Sequence, residues 1–414
     1  MSTNAILRAA MLSSVALCLS LWTVASVQAQ DVGGGIGGGA GIFRAKNPET
    51  KKSSGPKPTT GTKPVGRSTG PARPKPSNAE HIEELLDKGN EARDARKFAD
   101  AEAAYKDVLK LNPRDARAAY GLGNVYSDQQ RWEDAEAAYR NSVTWAPKDA
   151  DAHVALSVVL VQPIAGGDNA KRLTDAETFA RRSVQIDPKN AVGWDRLGVA
   201  LQARGLVNSE TEHSYRRAIE LDPQFAVAYA HLARMLNRAG KPGDASPLYD
   251  KAIELAKDPA TLNLIAESLQ GEQLWPQSEP VLKRALELDS NNLTSLLLMG
   301  RYLIVYKRYQ EAEPYLKSAT EVASRAFQPF NLLGRAYLGM DRFSDAEATY
   351  ERASTLAASA EKKQLAGIFG FEGVGDGYLK SNQKDKAVRA YQRALELDPN
   401  NNGAAQKLAK ARAN

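Results

Sequence analysis

The 414-residue chain is 43% hydrophobic and 25% charged, the balance of an ordinary soluble protein, with a formal net charge of +6. Its one cysteine, Cys18, excludes a disulfide framework. The charge is uneven: residues 31–79 hold nine Lys and Arg against Asp31 and Glu49, and residues 80–414 come to −2. The basic balance therefore belongs to one segment, which removes the case for a nucleic-acid-binding body.

Residues 1–29 read as a secretory signal. Arg8 gives a positive start, Ala9 to Val27 is nearly uncharged, and Val27-Gln28-Ala29 offers a cleavage site. A mature chain beginning near Gln30 is then periplasmic or secreted. The alternative is an uncleaved N-terminal membrane anchor, although the apolar run is barely long enough to span. Leu17 before Cys18 argues against lipoprotein processing.

Residues 30–79 follow as a Gly/Pro/Lys-rich linker, with 11 Gly and 7 Pro between 31 and 79. Such a composition buries too little apolar surface to offset its conformational entropy, so a flexible segment is expected. Its positive charge implies at most weak attraction to anionic envelope components. The run Gly33 to Gly39 lacks the strand, helix and Gly-Lys-Ser/Thr ending of a phosphate loop.

From Ile82 a helical periodicity sets in and recurs at about 34 residues. In the second unit Ala119, Leu122, Gly123 and Tyr126 share one helix face, Ala135, Tyr139 and Ser142 share the next, and Pro147 ends it. The small site of the first helix recurs as Gly89, Gly123, Ser157, Gly198, Ala233, Ala266, Gly300, Gly334 and Gly375. The large site of the second helix recurs as Tyr105, Tyr139, Ala180, Tyr215, Tyr249, Leu282, Leu316, Tyr350 and Tyr391. The pattern resembles the tetratricopeptide repeat (TPR) signature. The resemblance implies an all-α, right-handed superhelical solenoid of about nine TPR helix–turn–helix repeats. The units are 82–115, 116–149, 150–190, 191–225, 226–258, 259–292, 293–326, 327–360 and 368–401, and residues 402–414 form a capping helix.

Extra residues at 162–167 and 361–367 are expected in turns or between units. Pro247, Pro280 and Pro314 share one phase early in second helices. Residues 370–377, with four glycines, look like a nucleotide loop but fall on a helix, where that glycine content has no explanation in the sequence. His81, His153, His213 and His231 form no metal-binding pair, and no nucleophile elbow is present. No catalytic residue, metal or cofactor is expected.

In the family that the pattern resembles, first helices line a concave groove. That implies groove positions at Asn90, Tyr120, Asn124, Arg234, Asn237, Asn263, Arg301, Asn331 and Arg335. Asn90 and Asn124 match the asparagines of the clamp that holds chaperone C-termini, but Leu86, Val154 and Val158 replace its basic residues, so that clamp is absent. Arg234, Arg301 and Arg335 share one phase and suit an acidic or C-terminal peptide. The expected function is a non-catalytic protein–protein interaction scaffold of the bacterial cell envelope, with no nucleic-acid partner. The alternatives are a substrate-docking subunit of an enzyme complex, such as a glycosyltransferase or export machinery, and a structural envelope tether.

Overall fold

The computed structural model describes residues 46–50, 77–164 and 166–413. The expected signal and most of the expected linker lie outside them. Every regular element among the described residues is an α-helix. The chain divides into two compact bodies, up to Ala252 and from Ile253.

The first body holds the helix pairs Asn78–Asp94 with Phe98–Leu111, Ala116–Asp128 with Trp132–Trp145, Ala150–Val161 with Asn169–Ile186, and Ala191–Ala203 with Ser209–Leu221. It also holds Ala226–Arg238, and the next helix, Pro242–Leu255, runs across the boundary between the bodies. The second body holds Pro259–Gly271 with Trp275–Leu288, Leu293–Val305 with Tyr309–Val322, Phe327–Gly339 with Phe343–Leu356, and Phe371–Lys380 with Lys384–Leu397. Ser359–Ala366 stands between its last two pairs, and Asn402–Ala413 closes the chain. Within each body a helix packs on its own partner and on the neighbouring pair, so cohesion is local throughout.

The small and large sites meet in the units that carry glycine at the small site. A Cβ on Gly89 would stand 2.6 Å from the Tyr105 ring, and one on Gly123 or Gly198 would stand 2.5 Å from Tyr139 or Tyr215. Gly300 and Gly334 are closed in the same way by Leu316 and Tyr350. These tyrosines are almost wholly buried. Glycine is retained because the ring needs the space that a side chain would fill.

Local signals set the ends of the helices. Asp115, Asp149, Asn190, Asp258 and Asn292 each accept a backbone N–H as N-caps of first helices. The first helix begins at Asn78, ahead of Ile82, because Ser77 and Glu80 form a capping box. Between the two helices of a unit one residue turns left-handed: Arg96, Gln130, Gln273, Lys307, Asp341 and Asn382 have φ of 57–61°, and Gly205 and Gly240 stand at the same place in units four and five.

Three departures from the repeat have physical reasons. In unit three the second helix starts early, at Asn169, and Arg172 donates to the carbonyls of Val159 (3.0 Å) and Gln162 (3.3 Å) at the end of the first helix. Pro247, Pro280 and Pro314 stand a full turn inside their helices, past the N–H groups that lack a helical acceptor, so each removes one backbone bond. The insertion before unit nine folds as Ser359–Ala366, and it accounts for one of the glycines, Gly370. A Cβ on Gly370 or Gly373 would overlap the carbonyls of Leu365 or Ile368, and one on Gly377 would overlap Phe343. The closing helix buries Ala404, Leu408 and Ala411, and Lys407 reaches Glu372 (2.8 Å) and Asp376 (2.6 Å).

Glu279 joins units six and seven. It accepts from Arg308 Nη1 (2.8 Å) and Tyr302 Oη (2.6 Å), and the Arg308 hydrogen bond leads in holding its carboxyl down at about 2. A depressed acid stabilises the fold above its unfolded value, and that stability is lost as the pH falls through the folded value. The melting-temperature gap between wild type and Glu279→Gln should therefore be full at pH 6 and shrink between about pH 4.5 and 2. A constant gap would show that the charge of Glu279 contributes nothing.

Candidate functional site

The residue after each small packing site keeps one phase of the first helix. In units one and two it is Asn90 and Asn124, one repeat apart. Behind each carboxamide stands the packing tyrosine of the same unit: Tyr105 Oη donates to Asn90 Oδ1 at 2.7 Å, and Tyr139 Oη donates to Asn124 Oδ1 at 2.8 Å. Burial pushes the Tyr139 hydroxyl well above its ordinary value, so it remains a donor. With Oδ1 taken, each amide presents its Nδ2 donor outward.

Both donors are used, and by the same short stretch of chain. Asn124 Nδ2 donates to the carbonyl of Lys46 and Asn90 Nδ2 to that of Pro48, each at 3.0 Å. Carbonyls two residues apart on one side are the arrangement of an extended chain. Between them the Asn47 side chain accepts from Arg93 Nη1 (3.1 Å) and donates to Asp94 Oδ2 (3.0 Å). Arg117 Nη1 reaches the Glu49 carbonyl at 3.3 Å. Pro48 is buried. Arg93 is itself 1% exposed and grips Asp128 through Nε (2.8 Å) and Nη2 (3.2 Å), so the wall behind Asn47 is fixed by a two-point ion pair.

The other groove positions have different surroundings. Tyr120 is buried with its ring 5.7 Å from that of Tyr139. Arg234 and Asn237 lie on Ala226–Arg238, where Arg234 adds its charge to a buried group: Asp195 lies 2.8 Å from His231 Nδ1 and 3.2 Å from Arg196 Nη2. Burial pushes the His231 imidazole down, against the pull of Asp195. In the second body Asn263 is enclosed. Its Nδ2 donates to Asn292 Oδ1 (2.9 Å) and its Oδ1 accepts from Ser295 Oγ (2.7 Å), which ties together two first helices. Arg301 gives Nη2 to Gln270 Oε1 (2.6 Å) and lies 5.7 Å from the Trp275 ring. Arg335 stacks 5.0 Å from Phe369, and Asn331 is buried on the same helix. Arg301 and Arg335 thus already engage their own chain.

Sequence reasoning missed Arg93, Asp94 and Arg117, and it missed residues 46–50 as anything but linker. Arg93 carries a faint signal, one turn after Asn90 on the same face. The segment carries none, because its contacts lie 42 to 78 positions away.

A family model described as Tetratricopeptide repeat matches residues 86–150 and 124–191, and others of that description match 225–258, 328–359 and 370–401. No curated protein matches the chain. Similar solved structures include the crystal structure of MamA, at 23% identity over 40% of this chain and 93% of that one, with a TM-score of 0.35. TTC0263, a thermophilic TPR protein of Thermus thermophilus, is 21% identical over 46% of this chain and 99% of its own, with a TM-score of 0.40. The APC/C hetero-tetramer Cut9-Hcn1 is 15% identical over 81% of this chain and 62% of the matched chain, with a TM-score of 0.44.

Proposed function

Since the chain belongs to the tetratricopeptide-repeat family, we propose that it is a non-catalytic scaffold that binds partner proteins by taking an extended segment of them against the first helices of units one and two. One observation carries this reading. Asn90 and Asn124, oriented by Tyr105 and Tyr139, donate to carbonyls two residues apart in an extended backbone. Two such donors read peptide main chain and make no demand on side chains. The signal-like residues 1–29 support a place in the cell envelope, where the scaffold would hold components of an assembly together.

The test changes two atoms. In the double variant Asn90→Asp/Asn124→Asp each side chain still accepts from its tyrosine, as Asp376 does from Tyr391 at 2.7 Å. The outward donor, however, becomes an acceptor that repels a carbonyl. Each lost bond is worth about 0.5–1.5 kcal/mol, so affinity should fall about tenfold or more. Peptides selected from a displayed dodecamer library on the immobilised full chain supply the ligand, and circular dichroism should stay unchanged. Peptides that bind wild type and double variant equally would move recognition off this face.

A further inference from the structure

Resting on that reading, we propose that residues 46–50 are the resident occupant of the groove of units one and two, and that a partner enters by displacing them with an extended Asn-Pro segment of the same kind. The segment meets the groove as a ligand would. Its main chain supplies three carbonyls, from Lys46, Pro48 and Glu49, to Asn124, Asn90 and Arg117. The Asn47 side chain meets a donor on Arg93 and an acceptor on Asp94 at the same time.

That pair of neighbours defines what fits. A carboxamide offers one acceptor and one donor on a short stem, whereas aspartate would set a second carboxylate against Asp94 and leucine would leave Arg93 Nη1 facing carbon. Proline suits the next position for two reasons. It brings no N–H to the buried site at 48, and it biases the residue before it toward extended backbone, which sets the two carbonyls on one side. The side chains of Lys46 and Glu49 stay exposed and leave their positions open to variation.

The occupant is covalently joined to the groove through residues 51–76, ahead of the first helix at Asn78. Its contacts are a handful of hydrogen bonds and one buried proline ring, modest enough to exchange. A site filled by its own chain shows a partner only its open fraction, and apparent affinity falls by that fraction.

The experiment uses the full chain and a fluorescein-labelled peptide with the sequence of residues 44–52. Wild type is compared with Asn47→Gly/Pro48→Gly, which opens the groove without touching a helix. The opened chain should bind the probe about tenfold more tightly or better by fluorescence anisotropy. Adding Asn90→Asp/Asn124→Asp should remove that gain. Equal binding by wild type and opened chain, or a gain that survives the two aspartates, overturns the proposal. Sedimentation identifies the source of the occupant: a monomeric wild type supports filling by the same chain, and a dimer that dissociates on opening shows a second copy and overturns it. Library peptides that are sensitive to the two aspartates but indifferent to opening would leave the groove reading standing and remove self-occupancy alone. If neither the probe nor the library peptides respond to the aspartates, both fall.

Discussion

Leucine in place of Gly123 is expected to destabilise the protein by about 3 kcal/mol or more, read from the urea midpoint at unchanged slope. Helix propensity alone argues the other way, since leucine is a better helix former than glycine by under about 1 kcal/mol. Sterics decide the sign. The first added carbon stands 2.5 Å from the Tyr139 ring, and that ring is 2% exposed with its hydroxyl bonded to Asn124. The ring cannot retreat without breaking that bond, so the two helices of unit two must separate. Gly243→Ala is the control, because nothing lies within 4 Å of its added carbon and it sits inside Pro242–Leu255. It should be neutral or slightly stabilising. Equal losses at the two sites would show that the close approach at Gly123 does not limit the packing.

The second large effect is expected at Arg93. Alanine there should cost about 3 kcal/mol, the scale on which a buried ion pair is broken by removing one partner. Arg93 is nearly inaccessible and spans from the first helix of unit one to Asp128 on the first helix of unit two. Arg93→Lys keeps the charge but gives up the two-point grip, and it should recover part of the loss. Arg342→Ala makes a useful contrast. Its bonds to Glu313 and Asp345 are on the surface, so the change should stay under about 1 kcal/mol. Thermal melts of the three variants decide it, and a loss at Arg93 no larger than at Arg342 would refute the claim that this pair joins the first two units.

The helix pairs were legible because each rests on residues close in sequence. Gly89 and Tyr105, or Gly123 and Tyr139, lie 16 positions apart and recur in step, so one-dimensional periodicity already contains the contact. The candidate site was legible only as a set of positions. Asn90 and Asn124 stood out by their phase, but phase does not say whether a polar group is already engaged. Arg301 and Arg335 share a phase with Arg234, yet one is held by Gln270 and the other lies on Phe369. Asn263 has both ends of its amide committed. Gly370 and Gly377 were opaque because their reasons lie outside the repeat pattern, in Leu365 of the inserted helix and in Phe343 of unit eight. The docking of Asn47 and Pro48 was opaque because composition reports what a segment cannot bury, and says nothing of what it can lend to a neighbour.

The tyrosines of units one and two answer to two masters. The ring of Tyr139 fills the space left by Gly123, and its hydroxyl sets the direction of the Asn124 amide. Tyr105 does the same for Gly89 and Asn90. A change at either tyrosine therefore disturbs together the packing of its unit and the hold on residues 46–50 through Asn90 or Asn124. Units six and seven place Leu282 and Leu316 at that position, where no hydroxyl reaches the open face. In unit seven the corresponding residue, Arg301, is held by Gln270 instead of by the packing residue. In units one and two the packing ring thus also orients the neighbouring amide, whereas in unit seven packing and surface are set by different residues.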